Sequence, residues 1–300
     1  MYSNSSHGAV KGTFLYNLSN FTGPLPYNWA RVFVDQERTE IYVVYQNLIR
    51  VFNQNGMEIY RFGEDLDLGH VVDGTVDRDG NILMLIYRWS EYTKRNELEI
   101  VRCNFRGEPN GKMEIKNLPP EFSDLSPNRM VYRNGKLYLA SLNQTKVIIT
   151  DSDGNFIDGY DLFPILEIEE KDRGNIELSG FSVGNDGSIL FTIPVLFKAY
   201  ILSPDRKYTS FGKPGGAPGR FNVVAGIVQD RKGNILVVDK LKCAIIVFDK
   251  NYNFLTQFGY RGPKRGNLIA PDDIAIDNYN KIYVTQSAKR GVSVFALNYD

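Results

Sequence analysis

Six strand–turn–strand units spaced about one propeller blade apart, strands that are apolar almost without interruption, and a final unit one strand short predict an all-β chain. The fold they imply is a six-bladed β-propeller of four-stranded antiparallel blades, closed by the N-terminal strand. The clearest units read VDGTVDRDGNILMLIY from Val72, GFSVGNDGSILFTI from Gly180, AGIVQDRKGNILVVD from Ala225 and DIAIDNYNKIYVTQ from Asp273; weaker copies begin near Arg31 and Arg129. Equivalent apolar residues of the second strand are Ile41, Ile82, Leu137, Ile189, Ile235 and Ile282, giving steps of 41, 55, 52, 46 and 47 residues. Strands of a blade are covered on both faces by neighbouring blades, so they read as apolar runs rather than as a strict alternation.

Turn chemistry explains the regular spacing. Gly80, Gly187 and Gly233 fall where a short hairpin loop needs a left-handed residue, and Asn280 is the next-best substitute. Thr39 suits that position poorly, so the first unit is expected to use a different turn. Each pair is followed by a third β-rich run, from Leu48, Leu98, Lys146, Ala199, Ala244 and Val292. Turns such as Asn55 with Gly56 and Asp153 with Gly154 then lead into a fourth strand in the first five units. The sixth unit ends at Asp300 without one, and the run from Thr13 resembles the fourth strand from Asn253. The expectation is therefore one domain over 1–300, with residues 1–12 a loose tail and residues 13–18 the closing strand of the last blade, which leaves no unpaired edge.

Composition fits this reading and narrows the partners. The 300 residues include 18 Tyr and 18 Phe, whose rings pack well on pleated surfaces. Lys and Arg total 35 against 35 Asp and Glu, so no net field draws the chain to nucleic acid or anionic lipid. No stretch approaches the roughly 20 apolar residues of a membrane span. Cys103 and Cys243, far apart in what read as equivalent apolar strands, are expected to be buried free thiols. The polar opening would suit a periplasmic or secreted chain after loss of a signal peptide, and otherwise the cytoplasm.

The run from Phe211 to Asp249 carries the frame F-G-x-x-G-x-x-x-G-x-F at Phe211, Gly212, Gly215, Gly219 and Phe221; the run from Phe258 keeps it with Leu268 last. On these residues the sequence resembles NHL-repeat propellers, strongly over about a third of the chain and in architecture elsewhere. That resemblance spans enzymes and binding modules, so function must be argued from a site.

Only His7 and His70 are present, which excludes a histidine-rich metal centre. Resemblance to lactonase-type propellers implies a divalent cation in the central channel, held by oxygen ligands. The candidates are Asp73, Asn128, Asp272 and Asp273, at or just before first strands; the plain structural alternative is that they are turn formers bonding nearby backbone. Beyond that candidate ion no cofactor is expected. No nucleophile elbow, P-loop, H-E-x-x-H or CxxC pair occurs. Gly215 and Gly216 belong to the repeat's exit loop rather than to a phosphate cradle. Arg88, Trp89, Tyr92, Lys94 and Arg95 interleave charge with aromatics as single-stranded RNA would require, yet the acidic Glu167, Glu169, Glu170 and Asp172 would share that surface and repel a polyanion, which argues against nucleic acid.

In a propeller blade the loop from strand two to three and the loop to the next blade open on one face. The longest departures from the minimal unit, residues 88–96, 119–127 and 161–177, are all of these kinds. Insertions gathered on one face mark a working surface. The leading expectation is a non-catalytic scaffold that binds a protein or peptide around blades 2 to 4 through Trp89, Tyr92, Phe163 and Leu166. The alternatives are loops packed on their own propeller, and a metal-dependent hydrolase or lactonase acting in the channel.

Overall fold

A computed structural model describes residues 10–64 and 68–299. It contains six four-stranded antiparallel sheets, each running outward from the channel. Blade 1 comprises Arg31–Asp35, Glu40–Tyr45, Leu48–Phe52 and Glu58–Phe62; blade 2, His70–Val76, Ile82–Ser90, Arg95–Cys103 and Pro109–Met113. Blade 3 comprises Arg129–Arg133, Lys136–Ser141, Lys146–Asp151 and Phe156–Asp161; blade 4, Phe181–Val183, Ile189–Ile193, Lys198–Leu202 and Tyr208–Phe211. Blade 5 comprises Val224–Gln229, Ile235–Asp239, Ala244–Phe248 and Phe254–Phe258. Blade 6 takes three strands from the C-terminal end, Ile274–Ile276, Lys281–Thr285 and Val292–Tyr299, and its outer strand, Val10–Asn17, from the N-terminal end.

The closing strand pairs antiparallel from Val10 opposite Tyr299 to Asn17 opposite Ser293, with a bulge between Phe14 and Tyr16. It therefore starts earlier than the expected residues 13–18 and takes residues 10–12 out of the supposed tail. Gly12 explains part of the shift, because an added Cβ there would strike the Phe258 ring at 2.3 Å, so the strand lies flush against blade 5. Residues 1–9, and His7 with them, lie outside the described residues.

The core is a ring of six apolar clusters, each shared by two neighbouring blades. Tyr42, Val44 and Ile49 meet Ile82, Met84 and Ile86 between blades 1 and 2. Leu18, Val32 and Val43 meet Tyr283, Val292 and Val294 between blades 1 and 6 and complete the circle. The six equivalent second-strand residues named above are each at most 2% exposed, which is why these strands carry apolar residues on both faces.

The turns follow the expected chemistry. Gly80, Gly187, Gly233 and Asn280 have φ of 86°, 87°, 84° and 61°. In blades 2, 5 and 6 the Asp that opens the turn (Asp77, Asp230, Asp277) accepts two backbone N–H bonds across it, the self-satisfied Asx geometry. Blade 1 does use a different turn, with residues 36–39 between its paired strand ends where blade 2 has residues 77–81. Thr39 nevertheless takes the left-handed position, φ 56°. Both cysteines are buried and free; Cys103 ends a third strand as expected, whereas Cys243 sits in the turn before one at φ 57°. Burial pushes the Cys103 thiol up to about 11.

Candidate functional site

The glycine-rich exit loops are structural. In the first of them Phe221 is fully buried, its backbone bonds back to Lys213 and Gly215, and Gly212 at φ 110° leaves no room for a Cβ beside the Phe221 ring. Leu268 fills the same position in the next loop at 0% exposure.

The first strands of all six blades surround a narrow lumen of about 110 Å³. At its mouth, where these strands begin, Asp73 and Asp273 converge, but on Arg31. Arg31 Nη1 lies 2.6 Å from Asp273 Oδ2, and Nη2 lies 3.2 Å from Asp73 Oδ2. The same carboxylates accept backbone N–H bonds from Met130 (2.9 Å, to Asp73) and Val32 (3.1 Å, to Asp273), tying blades 6, 1, 2 and 3 together. Burial opposes the Arg31 charge, but the two carboxylates outweigh it and hold the guanidinium above its usual range. Burial pushes Asp273 up against the opposing pull of Arg31 and Arg129. Arg129 stands in this cluster with one side-chain hydrogen bond among the described residues, to Asn128 O, and burial with the nearby Arg31 pushes it down to about 10.

The four oxygen candidates thus have other employment. Asp73 and Asp273 clamp Arg31; Asp272 pairs with Lys240 at 2.6 Å; Asn128 Oδ1 accepts the Leu142 N–H while its backbone N–H bonds Ala140 O. A divalent cation among them would have to displace a cation already present, and among the described residues no group of three or more His, Cys, Asp or Glu is arranged to hold a metal. Sequence reasoning named the acids but missed Arg31 and Arg129; the available signal was that both open a first strand, in step with Asp73 and Asp273. It also missed Trp29, half-exposed on the linker into blade 1, whose Nε1–H donates to Ala270 O and whose ring lies 5.9 Å from Lys240 Nζ.

The rim around blades 2 to 4 is continuous on the same face. Blade 2's second and third strands run nine residues each, against five or six for the other second strands, and lift a hairpin beyond the ring. Tyr87 on this hairpin donates to Pro127 O in the following linker; that linker bonds Gln144 in blade 3's turn; Thr145 and Leu142 in that turn bond the next linker at Leu162 and Leu178. Tyr92 at the hairpin tip is 97% exposed and Trp89 53%. Phe163 and Leu166 differ: both are half-buried against the cluster between blades 3 and 4, with the Arg173 guanidinium 5.3 Å over the Phe163 ring. Their packing follows from a one-turn helix, Leu162–Ile165, whose Asp161 cap accepts the Phe163 N–H and whose Leu162 is buried. Two of the hairpin's cations are paired, Arg88 with Glu99 and Lys94 with Glu91, leaving less positive charge for a polyanion than the sequence suggested.

Comparison with known proteins agrees with the architecture. A family model described as a 6-bladed beta-propeller matches residues 223–300. None of the curated proteins matches the chain significantly. Among solved structures, a Xanthomonas campestris gluconolactonase is similar at 10% identity and TM-score 0.61, over 99% of this chain and 94% of that one. A streptogramin B lyase is similar at 11% identity and TM-score 0.59, over 97% and 98%. A Bacteroides thetaiotaomicron protein of unknown function gives 12% and 0.66, over 96% and 76%. At such identities the likeness shows the fold alone. The chain is an all-β six-bladed propeller, and no helix among its described residues is long and apolar enough to cross a membrane.

Proposed function

We propose that this propeller is a non-catalytic binding protein whose partner is a protein or peptide held on the rim around blades 2 to 4. The observation that carries the reading is the over-long blade 2 hairpin, which spends two large aromatic side chains, Trp89 and Tyr92, on solvent while every neighbouring apolar residue of its base is consumed by the core. Exposed aromatics are the side chains whose desolvation contributes most to binding. Phe163 and Leu166 act as the floor that fixes the adjoining linker rather than as anchors in their own right. The competing reading, a hydrolase or lactonase working through a channel cation, draws support from neighbours with lyase and lactonase activities, but its three carboxylate candidates are already ion-paired and Asn128 is hydrogen-bonded to backbone.

Peptide-display selection against the intact protein separates the two. Selected peptides should lose about 1–3 kcal/mol of affinity with Trp89→Ala or Tyr92→Ala and little with Asp272→Ala. Stoichiometric binding of a divalent cation that vanishes with Asp73→Asn or Asp273→Asn, together with peptides indifferent to the rim changes, would replace this reading by the channel enzyme.

A further inference from the structure

Six buried side-chain polar atoms lack a hydrogen-bond partner among the described residues, and three of them, Gln36 Oε1, Arg133 Nε and Ser182 Oγ, belong to residues lining the central lumen. Buried polar groups are almost always satisfied by protein, water or a bound ion, so this concentration points to an occupant. Arg133 is the decisive member. It closes the first strand of blade 3 and lines both the lumen and the opening at the end opposite the Arg31 cluster. Among the described residues no carboxylate lies within ion-pair distance of it, and its guanidinium makes no hydrogen bond.

The contrast with the other end is instructive. Arg129, four residues earlier on the same strand, feels Asp73, Asp273 and Asp272. Arg133 has only the Tyr138 hydroxyl to offset the burial that depresses it. Three carboxylates share its opening: Asp35 accepts Glu37 N, Arg38 N and Arg38 Nη1, Asp77 accepts Asp79 N, Asn81 N and Asn81 Nδ2, and Glu37 is exposed to solvent and forms no ion pair with Arg133. An arginine cannot shed its proton to escape burial. Arg133 is partly exposed, with its Nε fully covered; water would satisfy its donors without cancelling its charge, whereas an anion would do both.

We propose that the end of the channel at Arg133 binds one small oxyanion, of carboxylate or bicarbonate size, through the Arg133 guanidinium and the Ser182 hydroxyl. The lumen, of about 110 Å³, has room for several waters or one such anion. Gln36 Oε1, whose amide Nε2–H is committed to Ile276 O at 2.7 Å, offers an acceptor and would favour an anion that carries a proton or an accompanying water. The guanidinium fork suits the planar, two-oxygen edge of a carboxylate or bicarbonate better than a spherical halide. This site is separate from the rim and stands whether or not the rim binds a partner.

The test titrates formate, acetate, bicarbonate and chloride into the intact protein at fixed ionic strength, read by calorimetry and by melting temperature. At least one oxyanion should bind saturably at one site, about tenfold or more weaker in Arg133→Gln and several-fold weaker in Ser182→Ala. The exposed control Lys207→Gln, which removes the same charge, should bind as the parent does. In anion-poor buffer Arg133→Gln should melt no lower than the parent, and below it once the oxyanion saturates. Should that variant fail to fold, Arg133→Lys keeps the charge but loses the fork and should retain the fold with weakened oxyanion binding. Absence of saturable binding by all four anions, binding by chloride alone, or undiminished oxyanion binding in both Arg133 variants overturns the proposal.

Discussion

In blade 5 every residue of the second strand, Ile235–Asp239, and of the third, Ala244–Phe248, is buried. In blade 2 the second strand is buried through its first five residues, then emerges over its last four, and the third strand begins exposed and sinks inward. Both blades are the same meander around the same channel. Blade 5 keeps the repeat's frame and the apolar residues of its second and third strands are spent on neighbouring blades; blade 2 adds length on one face, and of the added residues Trp89 and Tyr92 stand exposed to solvent. Side chains released in this way are the ones a partner can use, so departure from the repeat is more informative about function than adherence to it.

The closing strand gives the largest test of the packed side of this contrast. Val10–Asn17 covers Val292–Tyr299, a strand whose first four residues are wholly buried, and Phe14 packs edge-on against Phe295 at 5.6 Å. Removing residues 1–17 should strip the outer strand from blade 6, open an unpaired edge and cost an amount comparable to the whole folding free energy of a domain, about 5–15 kcal/mol. Loss of the cooperative melt and aggregation in light scattering are the expected results; an unchanged melt would mean that the ring does not depend on this strand.

A smaller effect is expected at the turn of blade 5. Gly233 has φ 84°, and an added Cβ would meet only Lys250 Cβ at an ordinary 3.7 Å, so the site has space but the wrong backbone for a branched residue. Gly233→Val should cost about 1–3 kcal/mol in chemical denaturation through backbone strain alone. A neutral result would show that regular blades tolerate irregular turns, and would blur the distinction between blade 5 and blade 2.

The architecture was legible because it is written redundantly. Ile41, Ile82, Leu137, Ile189, Ile235 and Ile282 repeat one environment, and Gly80, Gly187 and Gly233 repeat one turn, so a weak signal at any copy is rescued by the others. The site was legible only in part because it is not repeated. Asp73 and Asp273 could be placed at the channel mouth from their position before or within first strands, yet the group they hold, Arg31, is far from both in sequence, and nothing local in RVFVD announces an ion pair across three blades. Phe163 and Leu166 could be named as anchors but not placed as packed or exposed, because an apolar segment in a long linker has no periodicity to show which side turns inward; the short helix that buries Leu162 leaves both half-buried.

That difference between the two pairs of aromatic and apolar residues yields the smallest expected effect on stability. Tyr92 touches water over nearly its whole surface and Trp89 over half of it, with its Nε1–H donated to the exposed Glu91. Neither belongs to a core cluster, so Trp89→Ala and Tyr92→Ala should shift the unfolding free energy by no more than about 0.5 kcal/mol, the range of ordinary surface substitutions. Phe163→Ala should cost more, because the ring is packed against the cluster shared by blades 3 and 4 and lies under Arg173; truncating a half-buried aromatic removes part of the roughly 3–5 kcal/mol lost at a fully buried one. Denaturant midpoints of the three variants decide the matter. Should Trp89→Ala prove as damaging as Phe163→Ala, the blade 2 hairpin would be part of the fold's own support, and its aromatics would no longer be available to explain binding.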